Sequence, residues 1–176
     1  MSIDKIIAKI PSMTLDERKK LRANVAEKLA SGDPQWVDAA TKALAALDAQ
    51  ALHEDKELVT TAQALPKAER VVFAFTRMPP TPTQERIIQV LLDRPGSTNA
   101  ELSRHLGWKD NGWDLHFGSM CADRMHLLWQ AEPAVVRPGL FYSGILVIYN
   151  DDDSTFVMRP EAIEGFAKLA IRSRTA

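Results

Sequence analysis

Three side chains with ligand or nucleophile chemistry, His116, Cys121 and His126, lie within eleven positions of the chain. Their spacing is five and five. On a helix five residues turn a side chain ~140° away from its neighbour, so the three cannot converge on one ion. A core cysteine flanked by surface histidines accounts for them. Asn150, Asp152, Ser154 and Glu161 stand at calcium-loop spacing, but Thr155 occupies the position that such a loop reserves for glycine. An acidic turn between two strands is the simpler reading. Ser103 and His105 are two residues apart and face different ways on a helix, and Cys121 has no neighbour that would lower its thiol pKa. No nucleophile elbow, phosphate loop, paired-histidine zinc motif or dinucleotide fingerprint is present. The expectation is a protein without catalytic residues, resident metal or cofactor.

Bulk properties narrow the classes further. The chain has 176 residues, 45% hydrophobic and 26% charged, with a net charge of −1. A lone cysteine allows no internal disulfide, which fits a reducing compartment. The start, MSIDKIIAKIPSM, has no secretory pattern, and no apolar run approaches the ~20 residues of a membrane span. A cytoplasmic protein that does not enter the membrane is expected. Dedicated DNA-coating proteins are usually basic. Any nucleic-acid footprint here must therefore be a local patch.

The first half reads as a series of helices. Ile3, Ile6, Ile7 and Ile10 repeat at helical spacing, with Ser2 as cap and Pro11 as stop. Thr14 and Glu17 form a capping box before a helix carrying Leu21, Val25 and Leu29, which Gly32 ends. Asp33-Pro34 opens the next helix, whose stripe is Val37, Ala40, Leu44 and Leu47; after Gln50 the pattern weakens. Lys67 to Arg77 is helical again, with Val71, Val72 and Phe75 inward. Pro79, Pro80 and Pro82 favour an extended connector, so a division is placed there.

Beyond the prolines, Thr81 and Gln84 box a helix with Ile87, Ile88, Leu91 and Leu92 on its core face. Pro95-Gly96 turns the chain. Thr98 and Glu101 box a short helix that Gly107 ends. Asn111 is positioned to cap a longer helix from about Gly112 to His126, with Trp113, Phe117 and either Met120 or Cys121 on one side. Phe141 to Tyr149 and Thr155 to Met158 read as a hairpin around Asn150-Asp151-Asp152-Asp153. A last helix starts at Pro160, with Ile163, Phe166, Ala167 and Ala170 on its buried stripe.

This order, together with Ala100-Glu101-Leu102-Ser103-Arg104-His105-Leu106-Gly107, resembles the winged helix-turn-helix family. The fold class expected is mainly α with a small β-hairpin (α+β): an N-terminal helical bundle over 1–78 and a winged helix-turn-helix-like domain over 81–172. The resemblance implies that Gly112–His126 is the recognition helix and Phe141–Met158 the wing. It implies a bacterial-type transcription regulator that binds double-stranded DNA through Arg104, Lys109, Asn111, His116, Ser119 and Arg124.

Charge argues for an alternative. From Thr81 to Leu127 the basic residues Arg86, Arg94, Arg104, Lys109 and Arg124 are outnumbered by Glu85, Asp93, Glu101, Asp110, Asp114 and Asp123, and the wing tip is acidic. Phosphate contacts supply much of DNA affinity. The competing class is a protein-interaction adaptor on the same scaffold, with Trp108 and Phe117 as partner-binding candidates. The Ala/Leu stripes of the small N-terminal bundle suggest burial against a second copy, hence a homodimer.

Overall fold

Helix signals at both ends of each segment shape the architecture. The computed structural model describes residues 3–134 and 139–174; Ser2, expected as the first cap, lies outside them. The chain divides into two compact units, Met1–Leu58 and Val59–Ala176.

In the first unit, α1 (Ile3–Lys9) runs into a 3-10 turn at Ile10–Ser12, and α2 (Leu15–Ala30) follows. The Thr14–Glu17 capping box forms as expected. Gly32 adopts φ +67° and ends the turn after α2. The helix α3 (Pro34–Ala64) starts where the Asp33 carboxylate accepts the Gln35 N–H at 3.0 Å. It continues well past Gln50, where sequence periodicity fades. The pairs Arg18–Glu54 (2.5 Å) and Arg22–Asp48 (2.6 Å) join early α2 to late α3 and so set the two helices antiparallel. Up to Leu58, where this unit ends within α3, Ile10, Ala40, Ala43 and Leu47 are the buried apolar residues among those described, whereas Val37 is exposed.

The second unit contains the proline segment, which was expected as the boundary. The cause is packing: α4 (Lys67–Arg77), before the prolines, lies against the last helix, α8 (Pro160–Lys168). Phe75 meets Phe166 edge-on at 4.9 Å. The buried stripe of α8 is Ala162, Gly165 and Phe166. Ile163, expected inside, is 45% exposed. Gly165 lets Val71 and the Ala68 carbonyl approach so closely that the contact face is turned one residue from the one hydrophobicity suggested.

Between them come α5 (Pro82–Asp93), the two-residue strand β1 (Ser97–Thr98), α6 (Asn99–His105) and α7 (Trp113–Arg124). A 3-10 turn at Tyr142–Ile145 precedes β2 (Val147–Asn150), which pairs with β3 (Thr155–Met158). The expected strand from Phe141 is thus four residues long and begins later. Ser143 is buried there because its hydroxyl donates to the Asp114 carboxylate at 2.5 Å, which bends the chain into a turn. The strands form an antiparallel sheet ordered β1-β3-β2, with Phe156 and Met158 facing the core. The molecule is mostly helical with this small sheet. Among the described residues no helix is long and apolar enough to cross a membrane.

Candidate functional site

The mounting of α7 decides which of the sequence candidates meet solvent. A helix begins with four backbone N–H groups that lack partners in the helix. Asn111 does not cap this one. The N-cap is Gly112, which has no side chain to offer, and α6 supplies the acceptors instead. Ser103 Oγ accepts the Trp113 N–H at 3.0 Å, and Asn99 Oδ1 accepts the Asp114 N–H at 3.0 Å. Asn99 Nδ2 donates to the Asn111 carbonyl at 2.9 Å, which closes the loop between the helices. The Trp113 indole N–H donates to the Ile87 carbonyl at 3.1 Å and ties α7 to α5. At the other end of α6, Gly107 takes φ +77° and Arg86 donates to the Leu106 carbonyl at 3.0 Å. The placement of α7 is therefore held by polar contacts at defined points and by the packed faces.

Trp113, Phe117, Met120 and Cys121 form the inward face. Phe117 stacks on Trp113 with ring centroids 4.8 Å apart, so it is core and not the partner-binding side chain expected. Arg124 also leaves the candidate set. It is 3% exposed. Its guanidinium donates to the carbonyls of Met78 (3.0 and 2.7 Å), Pro79 (3.4 Å) and Met120 (3.0 Å) and to Gln84 Oε1 (3.2 Å), and lies 4.6 Å over the Phe75 ring. Burial lowers its pKa from the ordinary value. The proline-rich connector has carbonyls that no regular element satisfies, and this side chain satisfies two of them. It is a structural clamp.

Arg104, Lys109, Asn111, His116 and Ser119 remain exposed on α6, α7 and the loop between them. Ser119 is partly committed, because its hydroxyl donates to the Leu115 carbonyl at 2.9 Å. Trp108 is half-buried, with its ring 5.0 Å from that of His116. Leu115 is 71% exposed in the same region. It was not singled out from sequence, although its position two residues from Trp113, ~200° round the helix, already points it outward. Asp123 and His126 are exposed as well.

Among the described residues no group of three or more His, Cys, Asp or Glu side chains could hold a metal ion. Cys121 is buried, and burial pushes its thiol pKa up, away from a reactive thiolate. The acidic hairpin turn is internally bonded: the Thr155 N–H and hydroxyl donate to Asp153 Oδ1 at 3.2 and 2.6 Å.

The capping box of α6 makes stability pH-dependent. The Thr98 backbone N–H and then its hydroxyl, at 2.9 and 3.0 Å, hold the Glu101 carboxyl below its ordinary 4.5. A carboxylate depressed by folding contributes stability that is present above the unfolded pKa and lost as pH falls through the folded one. Glu101→Gln is expected to keep the helix start and flatten the loss of stability just below pH 4.5. Urea melts at a series of acidic pH values measure this; an unchanged pH slope would contradict it.

Comparison with protein-family models, curated proteins and solved structures returns no match for this chain.

Proposed function

We propose that residues 81–172 form a winged helix-turn-helix-like domain that binds double-stranded DNA in a regulatory role, with α7 as recognition helix. The observation that carries this reading is the mounting just described. The α6 side chains Ser103 and Asn99 fasten the N-terminus of α7, and Arg104, Lys109, Asn111, His116 and Ser119 stay exposed around it. A helix start held in this way suits major-groove reading, where N-terminal polar residues meet base edges. The order α5, β1, α6, α7, β2, β3 with sheet order β1-β3-β2 supports the same reading.

The electrostatics make the interaction modest. The hairpin turn is acidic and offers no phosphate contact, which leaves Arg104 on α6 and Lys109 in the loop before α7 as the exposed candidate cations. Two or three neutralised phosphates give a slope of about −2 to −3 in log affinity against log salt. Fluorescence anisotropy on random duplex at low salt should show this slope. Arg104→Ala should reduce its steepness by about one. Absence of binding at low salt, or an unaltered slope in Arg104→Ala, would overturn the DNA reading.

One observation favours a second reading, a protein-interaction adaptor: Leu115 stands 71% exposed on α7. The adaptor reading expects no DNA retention at low salt and loss of a protein complex in Leu115→Arg. A homodimer through the first unit accompanies either reading. No residue of α2 is fully buried, so Leu21, Val25 and Leu29 retain apolar surface for a second copy. Only monomer by light scattering at high concentration would remove that part.

A further inference from the structure

A cleft of about 640 Å³ opens between the start of α6, the segment 132–134 and residues of the β2–β3 hairpin. Its volume falls within the ~300–1,000 Å³ of small-molecule sites. Two half-buried aromatic rings line it, Phe141 and Tyr149 at 6.0 Å from each other, and the buried ring of Phe156 backs Tyr149 at 4.9 Å. Ile148, on the other face of β2 from Tyr149, also borders the cleft and is 48% exposed despite its size. Among the described lining residues carboxylates outnumber cations. Glu132 and Asp151 line the cleft, and their carboxylates make no hydrogen bond or ion pair with any described residue. Arg159 is the cation among the described lining residues, and its Nε is held by the Gly144 carbonyl at 2.9 Å.

We propose that this cleft binds a small organic cation with an aromatic or similarly flat apolar body. The rings supply apolar surface, and their π faces attract a cation. Glu132 and Asp151 supply the opposing charge, and the remaining guanidinium nitrogens of Arg159 can donate to a neutral oxygen on the ligand. Asn99, which fastens α7, forms part of the wall, so the occupant rests against the mount of the exposed helix. The binding itself does not depend on the DNA reading.

Two probes with one ring system and opposite charge test the proposal: tryptamine and indole-3-acetate. Each is titrated into the full ¹⁵N-labelled chain and followed by amide chemical shifts. Tryptamine is expected to shift Asn99, Ala100, Ile148 and Tyr149 with a Kd of about 1 mM or tighter, the range of an unoptimised fragment. Indole-3-acetate is expected to bind at least about tenfold more weakly. The exposed pair Glu132→Gln with Asp151→Asn should cut tryptamine affinity about tenfold and leave shifts elsewhere in place. Tyr149→Leu, which keeps an apolar side chain, should weaken it through the ring alone. Three results would overturn the assignment: no tryptamine shifts at the cleft, equal or tighter binding of the acetate, or unchanged affinity in the charge-neutralised double variant.

Discussion

Arg124→Ala is expected to destabilise the second unit by about 3–5 kcal/mol. The guanidinium donates to four groups on three segments, the carbonyls of Met78, Pro79 and Met120 and the side chain of Gln84. A hydrogen bond from a charged donor contributes about 1.5–3 kcal/mol, and an unsatisfied buried carbonyl costs about 1–3 kcal/mol. The sum is larger than the expected loss because water enters the vacated space and recovers part of it. Arg124→Met separates the causes: it keeps most of the apolar stem over Phe75 and removes every donor, so it should recover only the packing share. Arg124→Lys should also fall well short, since an ammonium cannot reproduce the planar fork. Urea denaturation measures all three. A loss under about 1 kcal/mol for the alanine variant would contradict the clamp. The contrast with Arg104→Ala is informative: that exposed change should leave stability within about 0.5 kcal/mol, and under the proposed function its effect falls on DNA affinity.

Gly165→Ala is expected to cost about 1–3 kcal/mol, although helix propensity favours alanine by up to about 1 kcal/mol. The sign follows from the space available. A Cβ at this position would sit 2.6 Å from Val71 Cβ and 2.7 Å from the Ala68 carbonyl oxygen. The second neighbour is backbone and cannot turn aside. α8 would have to move off α4, disturbing the edge-on contact of Phe75 with Phe166. Thermal melts should show a lower midpoint. Adding Val71→Ala should recover only part of the loss, because the carbonyl contact persists. A neutral or stabilised Gly165→Ala would mean that α4 and α8 do not approach this closely.

Both residues illustrate how far a linear reading reaches. Glycine at 165 looks like an ordinary weak point in a helix, and its neighbour Val71 is 94 positions away. Arg124, at the end of an amphipathic helix, looks like a solvent-facing cation because charged groups are seldom buried. Its partners are carbonyls of the proline connector, and backbone acceptors carry no sequence signature. Ser103 was legible as a helical residue beside Leu102, but its role as acceptor for the Trp113 N–H depends on where the next helix lands.

The three capping boxes at Thr14, Thr81 and Thr98, the core faces of α5 and α7 and the β3 strand were all readable from residue type and spacing. They are local: a side chain meets a backbone group three residues away, or recurs with the period of its own helix. Tertiary contact decided the rest. It buried Arg124, turned α8 onto Gly165, shortened the strand before Val147 and left Leu115 in the open. Each of these depends on a partner distant in the chain, and the free energy of such a contact is set by whichever surface arrives opposite.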